Sequence, residues 1–133
     1  MLETATKTAA QMVAEAKQRI ENLAPESVAA ELRNSQALLV DIREADERAQ
    51  TGWIPGAIHA PRGMLEFWAD PASPYHRPEL QPDRRVILYC ASGGRSALAA
   101  DVLAQLGYTN VAHLNGGLKA WRECGRRIEG GCA

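Results

Sequence analysis

Cysteine is scarce in this chain, and its few cysteines lie far apart. The 133 residues include three of them, Cys90, Cys124 and Cys132, and no two form a Cys-x-x-Cys pair. The three histidines, at positions 59, 76 and 113, complete no spacing that is typical of a zinc site. The pattern therefore argues against a disulfide framework and against a metal site.

The sequence also lacks a charge bias and long apolar segments. With 15 Lys and Arg against 16 Asp and Glu, the formal charge is -1, so no long-range field would attract nucleic acid or anionic lipid. We find no apolar segment that could span a bilayer and no apolar stretch typical of a secretory signal. We therefore expect no nucleic-acid or membrane partner and a cytoplasmic location, where a free thiol persists.

The N-terminal part of the chain has helical periodicity. Apolar residues recur every three or four positions over residues 5–23, which predicts an amphipathic helix in an extension that spans residues 1–24. This helix is expected to pack on the domain or on a second copy of the chain, which would give a homo-oligomer. A single domain follows, over residues 25–133, and its first helix is predicted at 25–33, with Pro25 in the first turn.

Short apolar segments alternate with helical ones through the rest of the chain. Strands are predicted at 37–40, 57–59, 86–89 and 111–114, and helices from about Ser96 to Leu106 and over 118–123. This alternation indicates an α/β domain with a mainly parallel sheet. In such sheets ligands bind at the carboxyl ends of the strands, and Cys90 follows directly after one of them.

The segment from Cys90 to Ser96 is the strongest candidate site. A loop that leads into a helix directs several backbone N–H groups into one hollow and adds the positive end of the helix dipole. The same field favours a cysteine thiolate over the thiol. Gly93 and Gly94 let the backbone curl tightly, and Arg95 offers a forked set of donors to an oxyanion. A cysteine that merely closed the strand would not need these neighbours.

Three motifs resemble those of the rhodanese family. They are Val40-Asp41-Ile42-Arg43 with the segment from Gly52 to Ile58, the loop from Cys90 to Arg95, and the segment from Gly116 to Trp121. The resemblance covers residues 25–128. Trp53 stands where many members have histidine, and the uncharged Ala91 and Ser92 make this loop less basic than in members adapted to thiosulfate.

The resemblance implies a three-layer α/β domain with a five-stranded, mainly parallel sheet flanked by helices. It also implies that Cys90 takes a sulfur from a small sulfur-containing anion such as thiosulfate, carries it as a persulfide, and passes it to cyanide or a thiol. By this resemblance Arg95 binds the anion, no metal or organic cofactor is needed, and a protein can serve as sulfur donor or acceptor. The N–H groups that cradle the persulfide belong to Ala91, Ser92, Gly93, Gly94, Arg95 and Ser96.

Other polar and aromatic residues have weaker predicted roles. An acid and a base just past a buried strand, Asp41 and Arg43, are expected to form a structural ion pair beside the site. Arg62 is a weak candidate for the same rim, because it follows a predicted strand. Residues 62–85 form a long connection of the kind that often covers a site, within which Phe67 and Trp68 are expected to anchor. Cys124 is expected to pack, and Cys132 to be an exposed spectator.

Three other functions are compatible with these motifs. A thiol phosphatase or an arsenate reductase also places a cysteine and an arginine around an anion-binding loop, but with five intervening residues. Only four residues separate Cys90 from Arg95, and the tighter ring favours a single sulfur atom over a tetrahedral phosphate. A non-catalytic binding module and a persulfide carrier, which receives its sulfur from another protein, are the remaining alternatives.

Overall fold

The computed structural model describes residues 6–34 and 36–131. Within this part of the chain, five parallel strands form one sheet in the order β1-β5-β4-β2-β3. The α/β fold with a five-stranded parallel sheet is therefore confirmed. The strands are β1 (Glu21–Leu23), β2 (Leu38–Asp41), β3 (Ile58–His59), β4 (Val86–Tyr89) and β5 (Val111–Leu114).

Helices cover both faces of this sheet. They are α1 (Ala9–Arg19), α2 (Pro25–Asn34), α3 (Ala45–Thr51), α4 (Leu65–Ala69), α5 (Gly94–Gln105) and α6 (Gly117–Glu123), with a 3-10 turn at Arg62–Met64. One face buries β-strand side chains such as Val40 and Leu88 against α4 and α5. The opposite face buries Leu39 and Ile87 against α2 and α6. The strands are thus apolar on both sides, as parallel strands between two helix layers must be.

The N-terminal helix is shorter than its sequence pattern predicts. Thr8 caps α1 through a reciprocal pair of hydrogen bonds with Gln11, and the backbone becomes extended at Ile20. The prediction that the helix continues to Leu23 is wrong, because Glu21–Leu23 pairs with β5 as an edge strand. Ala5, the first residue of the predicted helix, lies outside the described residues.

The N-terminal helix packs on α5 of its own chain. Ala16 is fully buried in this contact, and the Arg19 guanidinium binds the Asp101 carboxylate through two hydrogen bonds of 2.7 and 3.1 Å. This bidentate geometry fixes the angle of α1 against α5. The segment is therefore attached to the domain twice, through α1 on the helix α5 and through β1 on the strand β5.

The long connection from Arg62 to Arg85 has secondary structure and a core contact of its own. Leu65, Ala69 and Leu80 are fully buried, so much of this segment packs on the domain. Trp68 also packs there, with Arg77 over its ring at 4.6 Å. Phe67 differs from the prediction: because its helical position points away from the core, its side chain is 53% exposed and does not anchor the segment.

The described residues contain neither a helix that could span a membrane nor a cluster of metal ligands. Residues 6–34 and 36–131 contain no helix with the length and apolar character that a bilayer crossing requires. The same residues contain no group of three or more His, Cys, Asp or Glu side chains arranged to hold a metal ion.

Candidate functional site

Cys90 lies at the carboxyl end of the central strand β4, and backbone donors point at its sulfur. The residue is 1% exposed. The N–H groups of Gly93 and Ser96 lie 3.2 and 3.4 Å from Sγ, and the Ser96 hydroxyl oxygen lies 3.6 Å from it. Two amides at the N-terminus of α5 thus face the sulfur, where they stabilise a negative charge on it.

Glycine is required where this loop turns. Gly93 has a φ of 103°, in the left-handed region that other residues rarely adopt, and a Cβ there would lie 3.1 Å from the backbone nitrogen of Gly116. The turn brings the amides of residues 93 and 96 to the same side of the loop. Gly94, which begins α5, has no comparable contact.

The Gly-Gly segment, Gly116 and Gly117, begins α6, and the first turn of this helix holds the Cys90 loop in place. The N–H groups of Leu118 and Lys119 donate to the carbonyls of Cys90 and Ala91 at 2.9 and 3.0 Å. A Cβ on Gly117 would lie 2.6 Å from the Cys90 carbonyl oxygen. Only glycine therefore permits this close approach of the two backbones.

Arg95 points to an acidic partner that the sequence analysis did not identify. Its guanidinium binds the Glu47 carboxylate on α3 at 2.7 and 2.9 Å. Chiefly because of this hydrogen bonding, the pKa of Glu47 falls to about 2. The positive charge of Arg95 lies close enough to Cys90 to interact with it, but its donors are directed at Glu47. The partners lie 48 positions apart in the sequence, so no local pattern marks the pair.

Asp41 and Arg43 form a buried ion pair beside the loop. Both side chains are almost fully buried, and the guanidinium binds the carboxylate at 2.8 and 3.0 Å. The Tyr89 hydroxyl donates to Asp41 at 2.9 Å, and burial raises the pKa of Tyr89. Each polar group of the pair therefore has a partner, as buried charges require.

A cavity of 360 Å³ opens next to the loop. Ala91, the residue after Cys90, lines it together with the edge of Arg43. Lys119 and Arg122 of α6 add two cationic side chains to its wall, opposite Glu47. The other residues that line it are Gln50, Thr51 and Leu118.

The other residues that the sequence singled out have surroundings that differ from those of Cys90. Ser92 is exposed on the outside of the loop. Arg62 is placed elsewhere: its guanidinium binds Glu66 at 2.7 Å and lines a second cavity, of 340 Å³, between α1 and α5. Cys124 is exposed rather than packed, because α6 ends there, and Cys132 lies outside the described residues.

His113 is a site residue that the sequence analysis missed. It is fully buried on β5, on the same side of the sheet as Cys90, and its Nδ1 atom lies 2.8 Å from the Ser96 hydroxyl. Its Nε2 atom lies 2.8 Å from Asn22 Oδ1 on the edge strand β1. The sequence did contain one sign of this role: His113 lies among the apolar residues of a predicted buried strand, where a polar side chain needs a partner.

Comparison with known proteins agrees with this geometry. Residues 24–124 match the family described as Rhodanese-like domain. The chain belongs to the rhodanese-like family. This match confirms the resemblance seen in the sequence. It includes the Cys90 loop and the Gly-Gly segment, and it begins after Asn22.

Relatives of this rhodanese-like chain include enzymes of sulfur transfer. It is 39% identical to a sulfurtransferase of Allochromatium vinosum, over 77% of this chain and 89% of that protein. It is 32% identical to the human thiosulfate:glutathione sulfurtransferase, over 69% of this chain and 84% of that protein.

A solved structure that covers nearly the whole chain carries a different description. A protein of unknown function from Rhodopseudomonas palustris, described as a possible tyrosine phosphatase, is 44% identical. The match has a TM-score of 0.89 and covers 97% of this chain and 99% of that one. The fold is therefore shared along almost the full length of both chains.

Proposed function

We propose that this protein is a sulfurtransferase in which Cys90 carries the transferred sulfur as a persulfide. The observation that carries the proposal is the pair of backbone amides at 3.2 and 3.4 Å from the Cys90 sulfur. Donors in this position stabilise the thiolate, which is the form of cysteine that attacks an electrophilic sulfur. A reducing compartment such as the cytoplasm suits a site that depends on a free thiol.

The reaction has two displacement steps. The Cys90 thiolate attacks the outer sulfur of thiosulfate, the S–S bond of the donor breaks, and sulfite leaves with the bonding electron pair. A persulfide donor would release its own thiolate in place of sulfite. The sulfur now bound to Cys90 carries the negative charge. A cyanide ion or an acceptor thiolate then attacks this outer sulfur, and Cys90 leaves as a thiolate.

The cavity beside Ala91 is the proposed place for the donor and the acceptor. At 360 Å³ it is larger than a thiosulfate ion needs, and Lys119 and Arg122 favour an anionic occupant. A low-molecular-weight thiol that carries carboxylates fits this charge and size. The human relative, whose name includes glutathione, supports a thiol acceptor of this class. A protein donor or acceptor would present its sulfur at the same opening.

Mass spectrometry after thiosulfate treatment tests the central step. We expect the wild-type protein to gain one sulfur atom and to form thiocyanate when cyanide is added. Cys90→Ser should lose both the adduct and the product, whereas Cys124→Ser should keep them, because Cys124 lies on the exposed end of α6. A wild-type protein that takes up no sulfur from any donor would instead support a role in partner binding alone.

Arg95 is proposed to bind the donor anion after releasing Glu47. The exposed part of its ion pair allows this exchange, because 40% of the Arg95 side chain is open to solvent. We expect Arg95→Ala to raise the KM for thiosulfate by roughly 10- to 100-fold, because the variant loses one charge-assisted hydrogen bond to the anion. Glu47→Gln should lower this KM, because the neutral amide competes less for the guanidinium. Equal effects of both changes would indicate a structural role alone.

Phosphatase activity is the second candidate, since the Rhodopseudomonas palustris protein is described in those terms. One observation favours sulfur transfer instead: only four residues separate Cys90 from Arg95, and this tighter ring suits a single sulfur atom better than a tetrahedral phosphate. If the purified protein hydrolyses an aryl phosphate faster than it forms thiocyanate, the phosphatase assignment replaces ours.

Self-association through α1 stays a prediction. The helix packs on α5, but Met12 of this helix is 49% exposed, which leaves an apolar contact point for a second copy. Light scattering of the purified protein measures the oligomeric state directly.

A further inference from the structure

A continuous row of hydrogen bonds runs from the buried Cys90 to Asn22 of the N-terminal segment. Ser96 Oγ lies 3.6 Å from the Cys90 sulfur, and His113 Nδ1 lies 2.8 Å from Ser96 Oγ. His113 Nε2 lies 2.8 Å from Asn22 Oδ1. Asn22 stands beside His113 because the two are register partners on the parallel strands β1 and β5.

The other contacts of Asn22 fix the direction of every bond in this row. Its Nδ2 atom donates to the carbonyl oxygens of Lys17 and Ile20, at 2.9 and 3.2 Å. Since carbonyl oxygens only accept, the amide nitrogen must face them, and Asn22 Oδ1 must face His113. His113 Nε2 therefore carries a proton and donates it to Asn22.

The state of the second ring nitrogen follows from this assignment. Burial, with a smaller contribution from the charge of Lys17, lowers the pKa of His113 to about 4, so the ring is neutral at physiological pH. A neutral ring that is protonated on Nε2 has a lone pair on Nδ1. Nδ1 must accept, and the Ser96 hydroxyl donates its one proton to it.

We propose that His113, held as one tautomer by Asn22, is a positioning residue for Cys90: it binds the Ser96 hydroxyl proton and so turns the lone pairs of Ser96 towards the sulfur. A thiol can donate to this oxygen, but a thiolate meets its lone pairs. The two amides favour the thiolate, and the Ser96 oxygen opposes it. By turning these lone pairs to the sulfur, His113 weakens the preference for the Cys90 thiolate that the two amides create.

This opposition acts on the resting cysteine and not on its sulfur-loaded form. In the proposed persulfide, Sγ is bonded to a second sulfur and the negative charge lies on the outer atom, away from Ser96. The row therefore disfavours the free thiolate relative to the persulfide and favours the loaded state. The inference rests on the proposed function only in taking Cys90 as the reacting thiol.

The test measures the pKa of the Cys90 thiol from its ultraviolet thiolate absorbance and from alkylation rates against pH. All proteins carry Cys124→Ser and Cys132→Ser, which leaves Cys90 as the single thiol. Among the described charged residues that act on this row, Lys17 of α1 reaches His113 and Arg95 of α5 reaches Cys90. Both are retained in every variant, so that their fields stay constant.

We expect His113→Phe to lower the thiol pKa by about one unit, because the Ser96 hydroxyl then loses its acceptor at 2.8 Å and can donate to the thiolate. The neutral Gly93 carbonyl, 3.4 Å from Ser96 Oγ, is a weaker acceptor than the charged sulfur. Adding Ser96→Ala should remove most of that shift, since no hydroxyl remains to turn. His113→Asn should behave like wild type, because its amide oxygen can accept the same proton. Because asparagine does not titrate, a wild-type thiol pKa in His113→Asn would show that the direction of the Ser96 hydroxyl matters and that protonation of the histidine ring does not.

Asn22→Ala provides a variant away from the core. It removes the acceptor for Nε2–H and lets the ring adopt its other tautomer, so we expect a fall in thiol pKa of about half a unit and mixed tautomers in nitrogen NMR of the ring. This variant also covers the case in which His113→Phe does not fold. An unchanged thiol pKa in Asn22→Ala together with an unchanged or raised one in His113→Phe would overturn the proposal, as would an equal fall in His113→Phe and His113→Asn.

These readouts are independent of sulfur transfer. A protein that takes up no sulfur would disprove the proposed function while the shifts in thiol pKa stood. A protein that transfers sulfur but shows none of these shifts would disprove the role of His113 alone.

Discussion

Gly117 packs so closely against the Cys90 loop that there is no room for a Cβ atom. Its φ of 62° is left-handed, and a Cβ would lie 2.6 Å from the Cys90 carbonyl oxygen and 2.7 Å from the Ala91 carbonyl. We expect Gly117→Ala to push the loop outward and to reduce thiocyanate formation by at least tenfold, because small misplacements of reacting groups are costly. A thiosulfate–cyanide assay measures this loss.

Gly125→Ala is the matched control for that substitution. Gly125 has a similar left-handed φ of 73°, but a Cβ there would meet no atom within 4 Å. Both variants bear the backbone cost of a left-handed alanine, on the order of 1 kcal/mol, and only Gly117→Ala contacts the loop. If the two lose activity equally, the close approach of Gly117 is not what positions Cys90.

The sequence reveals residues whose partners are close in the chain and hides those whose partners are distant. Cys90 and Gly93 are three residues apart, so their pattern is legible in one short segment. The partner of Arg95 lies 48 residues away, and the two partners of His113, Ser96 and Asn22, lie 17 and 91 residues away. Such pairs depend on the register between elements, which a single sequence without a fold does not specify.

The ion pair between Glu47 and Arg95 joins the helices α3 and α5 across the site. Its hydrogen bonds lower the pKa of Glu47 from the usual 4.5 to about 2. A carboxylate with a lowered pKa stabilises the fold fully above its ordinary value, and this contribution disappears as pH falls through about 2. The melting temperature of the wild type should therefore decline over that range.

Glu47→Gln tests the origin of the decline. The variant should lose less stability between pH 4.5 and 2 than the wild type, since it has no carboxylate to protonate at this position. Glu31 and Asp101 also have lowered pKa values, so some decline should persist. Glu123→Gln, at an exposed position on α6, should keep the wild-type slope. An identical slope in all three proteins would contradict the assignment; thermal denaturation followed by circular dichroism measures it.

The boundary of α1 shows why element ends are harder to predict than element types. Ile20 and Leu23 continue the helical spacing, yet the chain leaves the helix after Arg19 and pairs with β5. The hydrogen bonds of an edge strand are tertiary contacts, and periodicity does not report them. The strands β2, β4 and β5, in contrast, are apolar on both faces, and their positions follow from the sequence within one residue.

The N-terminal segment of the molecule supplies the edge strand β1 to the sheet and Asn22 to the row of hydrogen bonds that reaches Cys90. The family match begins at residue 24, yet α1 covers α5, and β1 is the outermost strand beside β5. Ala16 and Leu23 of this segment are buried. The sequence predicts a helical extension over residues 1–24, and nothing in its helical pattern shows that a strand follows the helix.

Removing that segment should therefore weaken the fold and change the site together. In a chain that begins at Pro25, β5 becomes the edge strand, and the surface of α5 that α1 covers is exposed. We therefore expect the free energy of unfolding to fall by roughly 3 kcal/mol, close to the burial of one leucine-sized side chain. Urea unfolding followed by tryptophan fluorescence measures this, since all three tryptophans lie after residue 24. Because the shortened chain also lacks Asn22, its thiol pKa should fall as in Asn22→Ala. A shortened chain with unchanged stability would show that α1 and β1 are an independent appendage of the domain.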